Sequence, residues 1–460
     1  MSPQFTYGSG RSIALDWQAH APRVDVAHPR GDALSDPTAA TRAALQQPLD
    51  FPPLTASLAP GDRVAITVEP GTPCAPAIVQ GLLQELENAG IDRSNITLVT
   101  VDQASADAAT APERGMPASS VTESTQHSGQ QDSPSLADSS SSTTQSHAWR
   151  QLGIQHVIHR RDDATQLAYL AASDAADPIY LNRALLDADI VIPIGVHRLR
   201  DSLGYLGVAG SVYPTFSDLS AFARLRPTDS VYCEQEGKQL RDEASRALWL
   251  LGVQFVIQVV PGNGDSCIEI LAGQIDAVAR EARRCCENVW RAVVTDRVSL
   301  AIVGIAGPES DETWDDVARA LATVERVATD EAVIVVCVEA ARGPRPVPRP
   351  APADAASSPP PRSTSKRSTS KSSTSKSSTK RRTRRTKEYP TLIASLVERL
   401  GESHRLYIVS ELASDICEEM GLTRIESDAD LARLMRGHSQ GVLVVGGQFA
   451  GFRVEGEETP

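Results

Sequence analysis

The chain has 460 residues, which is more than one hydrophobic core usually supports and therefore favours two core-bearing domains. The formal charge of the whole chain is -13, but it is unevenly distributed. Residues 362–387 contain eleven Lys or Arg and no acidic residue. The rest of the chain therefore contains 34 of the 45 basic side chains and all 58 acidic ones. An acidic surface of this kind excludes binding to nucleic acid or anionic lipid anywhere outside that segment.

Apolar runs alternate with amphipathic stretches in the first part of the chain, a pattern typical of parallel βαβ units. The predicted elements are strand Arg63–Val68, helix Ala75–Ala89, strands Ile96–Val101, Asp189–Gly195, Val253–Val260 and Cys267–Leu271, and helix Ile275–Trp290. Residues 103–147 are rich in Ser, Thr, Gln and Asp and almost devoid of bulky apolar side chains. They are predicted to form a disordered insert, since burial cannot offset the entropy of ordering them.

A second α/β series follows. Its predicted elements are strand Ser299–Ile305, helix Asp311–Val327, strand Ala332–Val338, helix Thr391–Leu400, and strands Leu406–Ser410 and Val442–Val445. A Pro-rich stretch and a Ser/Thr/Lys/Arg repeat interrupt the series at residues 343–387, the composition of a linker. The pattern predicts an α/β fold with parallel sheets and two domains, residues 1–290 and 297–460.

The seven cysteines are scattered and contain no CxxC pair, which argues against a disulfide framework or a Cys-rich zinc site. No apolar run approaches the roughly 18–20 residues that span a bilayer, and the N-terminal stretch lacks the charge and apolar pattern of an export signal. These features predict a cytoplasmic protein without a membrane partner.

Several motifs, in this order, resemble landmarks of the nickel-dependent lactate racemase family. They are YGSG at 7–10, LDADIVIPIG at 186–195, GYLG at 204–207, AGPESDETWDDVARAL at 306–321, LYIVSEL at 406–412 and GVLVVGG at 441–447. The resemblance implies a cleft between two α/β domains that binds a small hydroxy acid. It also implies a nickel-carrying pincer nucleotide tethered through a Lys, with two His serving as acid and base.

The positions that would carry this chemistry depart from the family pattern. Gly210 stands where the resemblance places the tethering Lys, and Arg200 stands where it places a catalytic His. The metal-binding His position falls near Arg224-Leu225-Arg226, and the second catalytic His position falls at Asp102-Gln103. We therefore predict no cofactor, no metal and no racemase activity of the family type.

The resemblance also indicates substrate-binding candidates. They are Glu69, Thr72, Arg200, Tyr205, Asp316 and Arg319. Arg200, predicted to follow the carboxyl end of a strand, and Arg319, predicted on a helix of the facing domain, are expected to attract a small hydroxy acid or a phosphate-like anion. Thr72 replaces the cation that would clamp a carboxylate bidentately, so binding is expected to be weak.

Other polar residues have ordinary structural interpretations. His197 is predicted to be a hydrogen-bonded surface residue at a strand end, and His156 and His159 are predicted to lie on an edge strand. Cys285-Cys286 is predicted to be half core and half surface in the middle of a helix.

Three functions remain open from the sequence. The first is a lactate racemase-like protein that binds a small anion without racemase activity. The second is an active racemase or epimerase that uses rearranged residues on another hydroxy acid. The third is a nucleic-acid-associated protein that makes weak, salt-sensitive contacts through residues 362–387.

Overall fold

The computed structural model describes residues 5–13, 23–101, 149–225, 234–307, 313–344, 347–348, 388–389 and 392–456. The predicted insert at 103–147 and most of the predicted linker at 343–387 lie outside these residues.

The strands and helices of the described residues alternate along most of the chain. The strands are β1 Phe5–Tyr7, β2 Arg11–Ile13, β3 Arg23–Ala27, β4 Val64–Val68, β5 Ile96–Val101, β6 Gln155–His159, β7 Leu167–Ala172, β8 Pro178–Asn182, β9 Ile190–Val196, β10 Phe255–Pro261, β11 Cys267–Gln274, β12 Arg291–Val294, β13 Val298–Gly304, β14 Ala328–Cys337, β15 Val347–Pro348, β16 Glu388–Tyr389, β17 Arg405–Val409, β18 Thr423–Arg424, β19 Gln440–Val445 and β20 Gly451–Val454. The helices are α1 Pro37–Gln46, α2 Ala75–Asn88, α3 Arg183–Leu186, α4 Leu219–Leu225, α5 Glu234–Leu250, α6 Ile275–Trp290, α7 Thr313–Glu325, α8 Leu392–Leu400, α9 Ser414–Glu419 and α10 Asp428–Met435.

The first domain is built on a six-stranded sheet in the order β11-β10-β9-β4-β5-β6. The pairs from β10 to β6 are parallel, and only β11 joins antiparallel. Helices α1 and α2 cover one face, and α5 with the turn at Val208–Ser211 covers the other. All five residues of β4 are buried, as expected of a central strand covered on both faces.

The second domain is built on a parallel sheet in the order β18-β17-β14-β13-β19-β3. Helices α7 and α8 pack on one face, while α10 and the β1-β2 hairpin pack on the other. Strand β3 is hydrogen-bonded to β19, so the N-terminal strands β1, β2 and β3 all lie with the second sheet. The domain boundary at residues 291–296 stays a prediction from the sequence.

The α/β architecture with two parallel-sheet domains is confirmed, and every strand and helix predicted above is present within a few residues. Among the elements that were not predicted are the short N-terminal strands and the helices α1 and α5. Among the described residues, no helix is both long enough and apolar enough to cross a membrane.

The two domains share one apolar cluster at their junction. Val196, Leu199 and Leu203, which end β9 and follow it, are buried in the same cluster as Val317 and Leu321 of α7. This contact brings the carboxyl end of the first sheet against a helix of the second domain, and the candidate site lies at this junction.

Candidate functional site

Three strands of the first sheet deliver charged side chains to one edge. Glu69 follows β4, Arg161 lies two residues after β6, and Arg198 lies two residues after β9. Because β9, β4, β5 and β6 are adjacent and parallel, their carboxyl ends meet on the same side of the sheet. This is where ligands bind in open parallel sheets.

A cavity lies at this edge and reaches α7 of the second domain. Its charged and polar lining includes Glu69, Arg161, Arg198, Tyr205, Asp315 and Arg319, and its floor includes Gly204–Gly207 and Gly210. Its volume of about 80 Å³ is room for about three water molecules, at the roughly 30 Å³ that each occupies in liquid water. The cavity therefore suits a molecule of only a few non-hydrogen atoms.

Arg198 is the most deeply buried cation of the cavity, with 4% of its surface exposed. Its guanidinium lies 3.8 Å from the Asp316 carboxylate on α7 and 4.9 Å from the centre of the Phe449 ring. Both partners belong to the second domain. A first-domain cation is thus held by an ion pair and a cation–π contact across the junction.

Arg319 makes the reciprocal contact from α7. Its Nη1 lies 2.7 Å from Asp316 Oδ1, and its Nε donates to the carbonyl oxygen of Leu203 in the first domain at 3.3 Å. One carboxylate, Asp316, therefore serves two guanidinium groups, one from each domain. The sequence predicted Arg319 and Asp316 at this site, and the structure brings them together.

Arg161 approaches the cavity from the opposite side. Its guanidinium stacks 3.7 Å from the centre of the Phe222 ring, and its Nη2 donates to the carbonyl oxygen of Thr215 at 3.3 Å. The plane of the guanidinium is thereby fixed by an aromatic face, a geometry that Arg adopts and Lys does not.

The Glu69 carboxylate accepts the backbone N–H of Val196 at 2.9 Å, which ties the end of β4 to the end of β9. Gly195 permits this close approach, because a Cβ there would lie 2.8 Å from Glu69 Oε2 and 2.6 Å from Ser211 Cβ. Thr72 donates its hydroxyl to the Glu69 carbonyl oxygen at 2.7 Å. Thr72 is buried, and its hydrogen bond stabilises the loop after β4. Thr72 does not line the cavity.

Tyr205 and His197 form a hydrogen-bonded pair beside the cavity, with 3.0 Å between the Tyr205 hydroxyl and His197 Nδ1. Burial lowers the pKa of His197 to about 4, despite the opposing effect of an imidazole hydrogen bond to Gln258. Burial and then the nearby Glu69 raise the pKa of Tyr205. At neutral pH the pair is therefore an uncharged imidazole next to a protonated phenol.

The loop after β9 is anchored to the second domain by a further ion-pair network. Asp201 accepts two hydrogen bonds from Arg291, at 2.9 and 2.8 Å, and its carboxylate also binds Arg326, next to the end of α7. Burial opposes ionisation of Asp201, but the two guanidinium groups lower its pKa overall. Loop 197–203 therefore forms ion pairs near both ends of α7, through Arg198 with Asp316 and through Asp201 with Arg326.

Thr72 and Arg200, two of the predicted site residues, do not line the cavity. Arg200 is exposed, and Arg198 lines the cavity where Arg200 was expected. His197 was predicted at the surface but is only 4% exposed, and its ring packs edge-on against Tyr205. Arg161 was missed, although its position just after a strand end was a signal that could have identified it.

The remaining predicted histidines and cysteines have structural contacts. His156 and His159 lie on β6, the edge strand, as predicted. His159 is buried, with Nε2 donating to the Ser217 carbonyl oxygen at 2.9 Å and Nδ1 accepting from Asn182 at 3.0 Å. Cys285 is half-buried and Cys286 is buried, also as predicted.

Arg224, near the position where the family resemblance places a metal ligand, has a structural role. Its Nη1 binds the Glu243 carboxylate at 2.8 Å, and its Nη2 donates to the Tyr213 hydroxyl at 3.0 Å. These contacts join α4 to α5 on one face of the first sheet.

The residues present do not fit the tethered nickel nucleotide of the family. Gly210 lines the cavity but has no side chain to form a tether. The one Lys in the described part of the chain, Lys238, is exposed on α5. Within those same residues no group of three or more His, Cys, Asp or Glu is arranged to hold a metal ion.

Comparison with known proteins supports the fold. No protein-family model matches the chain, and no curated protein matches it. Among solved structures, the lactate racemase apoprotein from Thermoanaerobacterium thermosaccharolyticum is similar, with a TM-score of 0.61 and 12% identity over 98% of this chain and 99% of that one. A protein from Thermotoga maritima is also similar, with a TM-score of 0.53 and 10% identity over 92% of this chain and 99% of that one. The chain therefore has a lactate racemase-like fold.

Burial of two neutral histidines predicts acid sensitivity of folding. The pKa values of His159 and His197 are both lowered to about 4, whereas an unfolded His titrates near about 6.5. Between these values the unfolded chain binds more protons, so stability is complete above about pH 6.5 and falls as the pH drops toward about 4. The loss is at most about 1.4 kcal/mol per pH unit for each histidine.

Urea unfolding at several pH values from 7.5 to 4.5 measures the slope of the free energy of unfolding against pH. His197→Gln is expected to remove about half of it, and His28→Gln, at an exposed position, is the matched control that should leave it unchanged. A free energy of unfolding that is constant between pH 7 and pH 5 would contradict the burial argument.

Proposed function

We propose that the cavity binds a small anion, a hydroxy acid or a phosphate-like ion, and that it does so without the tethered nickel nucleotide. The convergence of Arg161, Arg198 and Arg319 on one small cavity supports this proposal most directly. Guanidinium groups match the paired oxygens of carboxylate and phosphate, and such charge-assisted hydrogen bonds are about twice as strong as neutral ones. A fold similar to that of a lactate racemase apoprotein is consistent with a small-molecule site here.

The carboxylates at the cavity refine the proposal. Asp316 is engaged by Arg198 and Arg319, but Glu69 and Asp315 also line the cavity. A ligand oxygen facing Glu69 therefore has to donate a hydrogen bond. An anion that carries a hydroxyl group meets both requirements, with its charged oxygens toward the arginines and its hydroxyl toward Glu69. This arrangement favours a hydroxy acid over a simple inorganic anion.

A second candidate function is catalysis on a hydroxy acid with rearranged residues. The observation that favours it is the Tyr205–His197 pair beside the cavity, in which a neutral imidazole can accept a proton relayed through the phenol. General acid–base groups contribute about 10²- to 10⁴-fold in rate, but racemisation at an unactivated carbon also needs a hydride acceptor. We therefore place binding first and this activity second.

Anion binding is expected to raise the thermal unfolding midpoint. At about ten times Kd a ligand stabilises the folded state by about 1.4 kcal/mol, which shifts the midpoint by roughly 3–6 °C in a domain of 150–250 residues. Thermal shift and calorimetric titration with lactate, glycerate, malate, phosphate and sulfate measure this, and the hydroxy acids should bind more tightly than phosphate or sulfate.

Arginine variants locate the site. Arg161→Gln and Arg319→Gln should weaken binding at least tenfold, whereas Arg200→Ala, two residues from Arg198 but exposed, is the matched control and should bind normally. Circular dichroism of each variant confirms folding before titration. Equal binding by wild type and by the Arg161→Gln/Arg319→Gln double variant would refute the proposal.

The proposed absence of the pincer nucleotide is tested separately. The chain expressed together with the enzymes that make the family cofactor is expected to keep the bare polypeptide mass of 49.2 kDa, since Gly210 offers no amine. Intact-mass spectrometry and a D-/L-lactate interconversion assay on the same preparation should both be negative. An adduct of nucleotide size, or reproducible turnover lost in Tyr205→Phe, would instead support the catalytic candidate.

A further inference from the structure

Two cysteines meet away from the anion cavity. Cys74 immediately precedes α2, and Cys267 is the first residue of β11. Cys267 is 1% exposed and belongs to the apolar core beneath α2, while Cys74 is half-buried and packs against the same core. The Cys74 sulfur lies 3.1 Å from the carbonyl oxygen of Asp265, two residues before Cys267, so the two cysteines lie side by side at the edge of the same core. A half-buried cysteine and a buried cysteine are thus neighbours.

The backbone around Cys74 is held in an unusual conformation. Its φ of 54° lies in the left-handed region, where residues other than glycine are uncommon. The Cys74 N–H donates to Asp265 Oδ1 at 3.0 Å, and its sulfur lies 3.1 Å from the Asp265 carbonyl oxygen. Asp265 is two residues before Cys267, so the same short segment that carries one cysteine fixes the other.

The two sulfurs differ in chemical character. The hydrogen bond from Cys267 lowers the pKa of the Cys74 thiol, and the same bond together with burial raises the pKa of Cys267. Cys74 also stands at the N-terminus of the 14-residue helix α2, where the helix dipole favours a thiolate. Cys74 is therefore the nucleophile of the pair, and Cys267 is placed to react with it.

We propose that Cys74 and Cys267 form a reversible redox pair that responds to peroxide. The Cys74 thiolate attacks one oxygen of hydrogen peroxide, the O–O bond breaks, and the products are Cys74 sulfenic acid and water. The Cys267 sulfur then attacks the sulfenic sulfur, forming the S–S bond and releasing a second water. Peroxide is reduced and both thiols are oxidised, and a dithiol restores them.

Cys74 is close in sequence to Glu69 of the anion cavity, but the redox proposal does not depend on anion binding. Cys74 ends the loop that begins at Glu69, and Thr72 within that loop is hydrogen-bonded to Glu69. The redox proposal rests on the placement of the two cysteines beside each other, so it stands or falls independently of anion binding. A redox-responsive pair also suits a reducing compartment, where persistent structural disulfides are rare.

The test uses the full-length folded protein, first reduced with dithiothreitol and then exposed to hydrogen peroxide. Proteolysis under non-reducing conditions followed by mass spectrometry should yield a peptide pair joined through Cys74 and Cys267, lighter by two hydrogens and restored by dithiothreitol. Before oxidation, Cys74 should react with iodoacetamide at pH 7 at least about tenfold faster than Cys285.

Variants separate the two roles. In Cys267→Ser the reaction should stop at Cys74 sulfenic acid, trapped by dimedone, and in Cys74→Ser the buried Cys267 should stay reduced. Cys285→Ser is the matched control and should form the same link as wild type. If a variant fails to fold, the wild-type result decides. Oxidation of folded wild type that gives no 74–267 link, or a link seen only after denaturation, would overturn the proposal.

Discussion

The structure depends on the exchange of arginine contacts across the domain junction. Arg198 of the first domain is buried against Asp316 and Phe449 of the second, and Arg319 of the second reaches the Leu203 carbonyl of the first. A buried guanidinium costs several kcal/mol to desolvate, and removing one partner of such a pair typically costs about 3–5 kcal/mol. The position of the cavity and the docking of the two domains are therefore set by the same charges.

The central strands and helices could be predicted because their signals are local. Continuous apolar runs such as 190–196 and amphipathic stretches such as 275–290 carry their own periodicity, and both were found close to their true ends. The placement of β3 could not be predicted. Its pairing with β19 joins residues more than 400 positions apart, and nothing in a five-residue strand specifies so distant a partner.

The positions of the candidate residues were predicted in part. Glu69, Tyr205, Asp316 and Arg319 do lie together, because motif order placed them at strand ends and on the facing helix. The choice of Arg200 failed for a physical reason. Beyond the end of β9 the chain leaves the regular pleat, so side-chain direction depends on tertiary contacts, and residues 197–199 are buried while residue 200 lies in solvent.

The central claim, that two domains hold a small anion between their arginines, is tested most directly by a crystal structure with selenate. Selenate scatters anomalously, resembles phosphate in shape and charge, and has few enough atoms for a cavity of about 80 Å³. The account predicts an anomalous peak within hydrogen-bonding distance of the Arg198 or Arg319 guanidinium. Peaks at surface sites alone, with the cavity occupied only by water at saturating selenate, would contradict it.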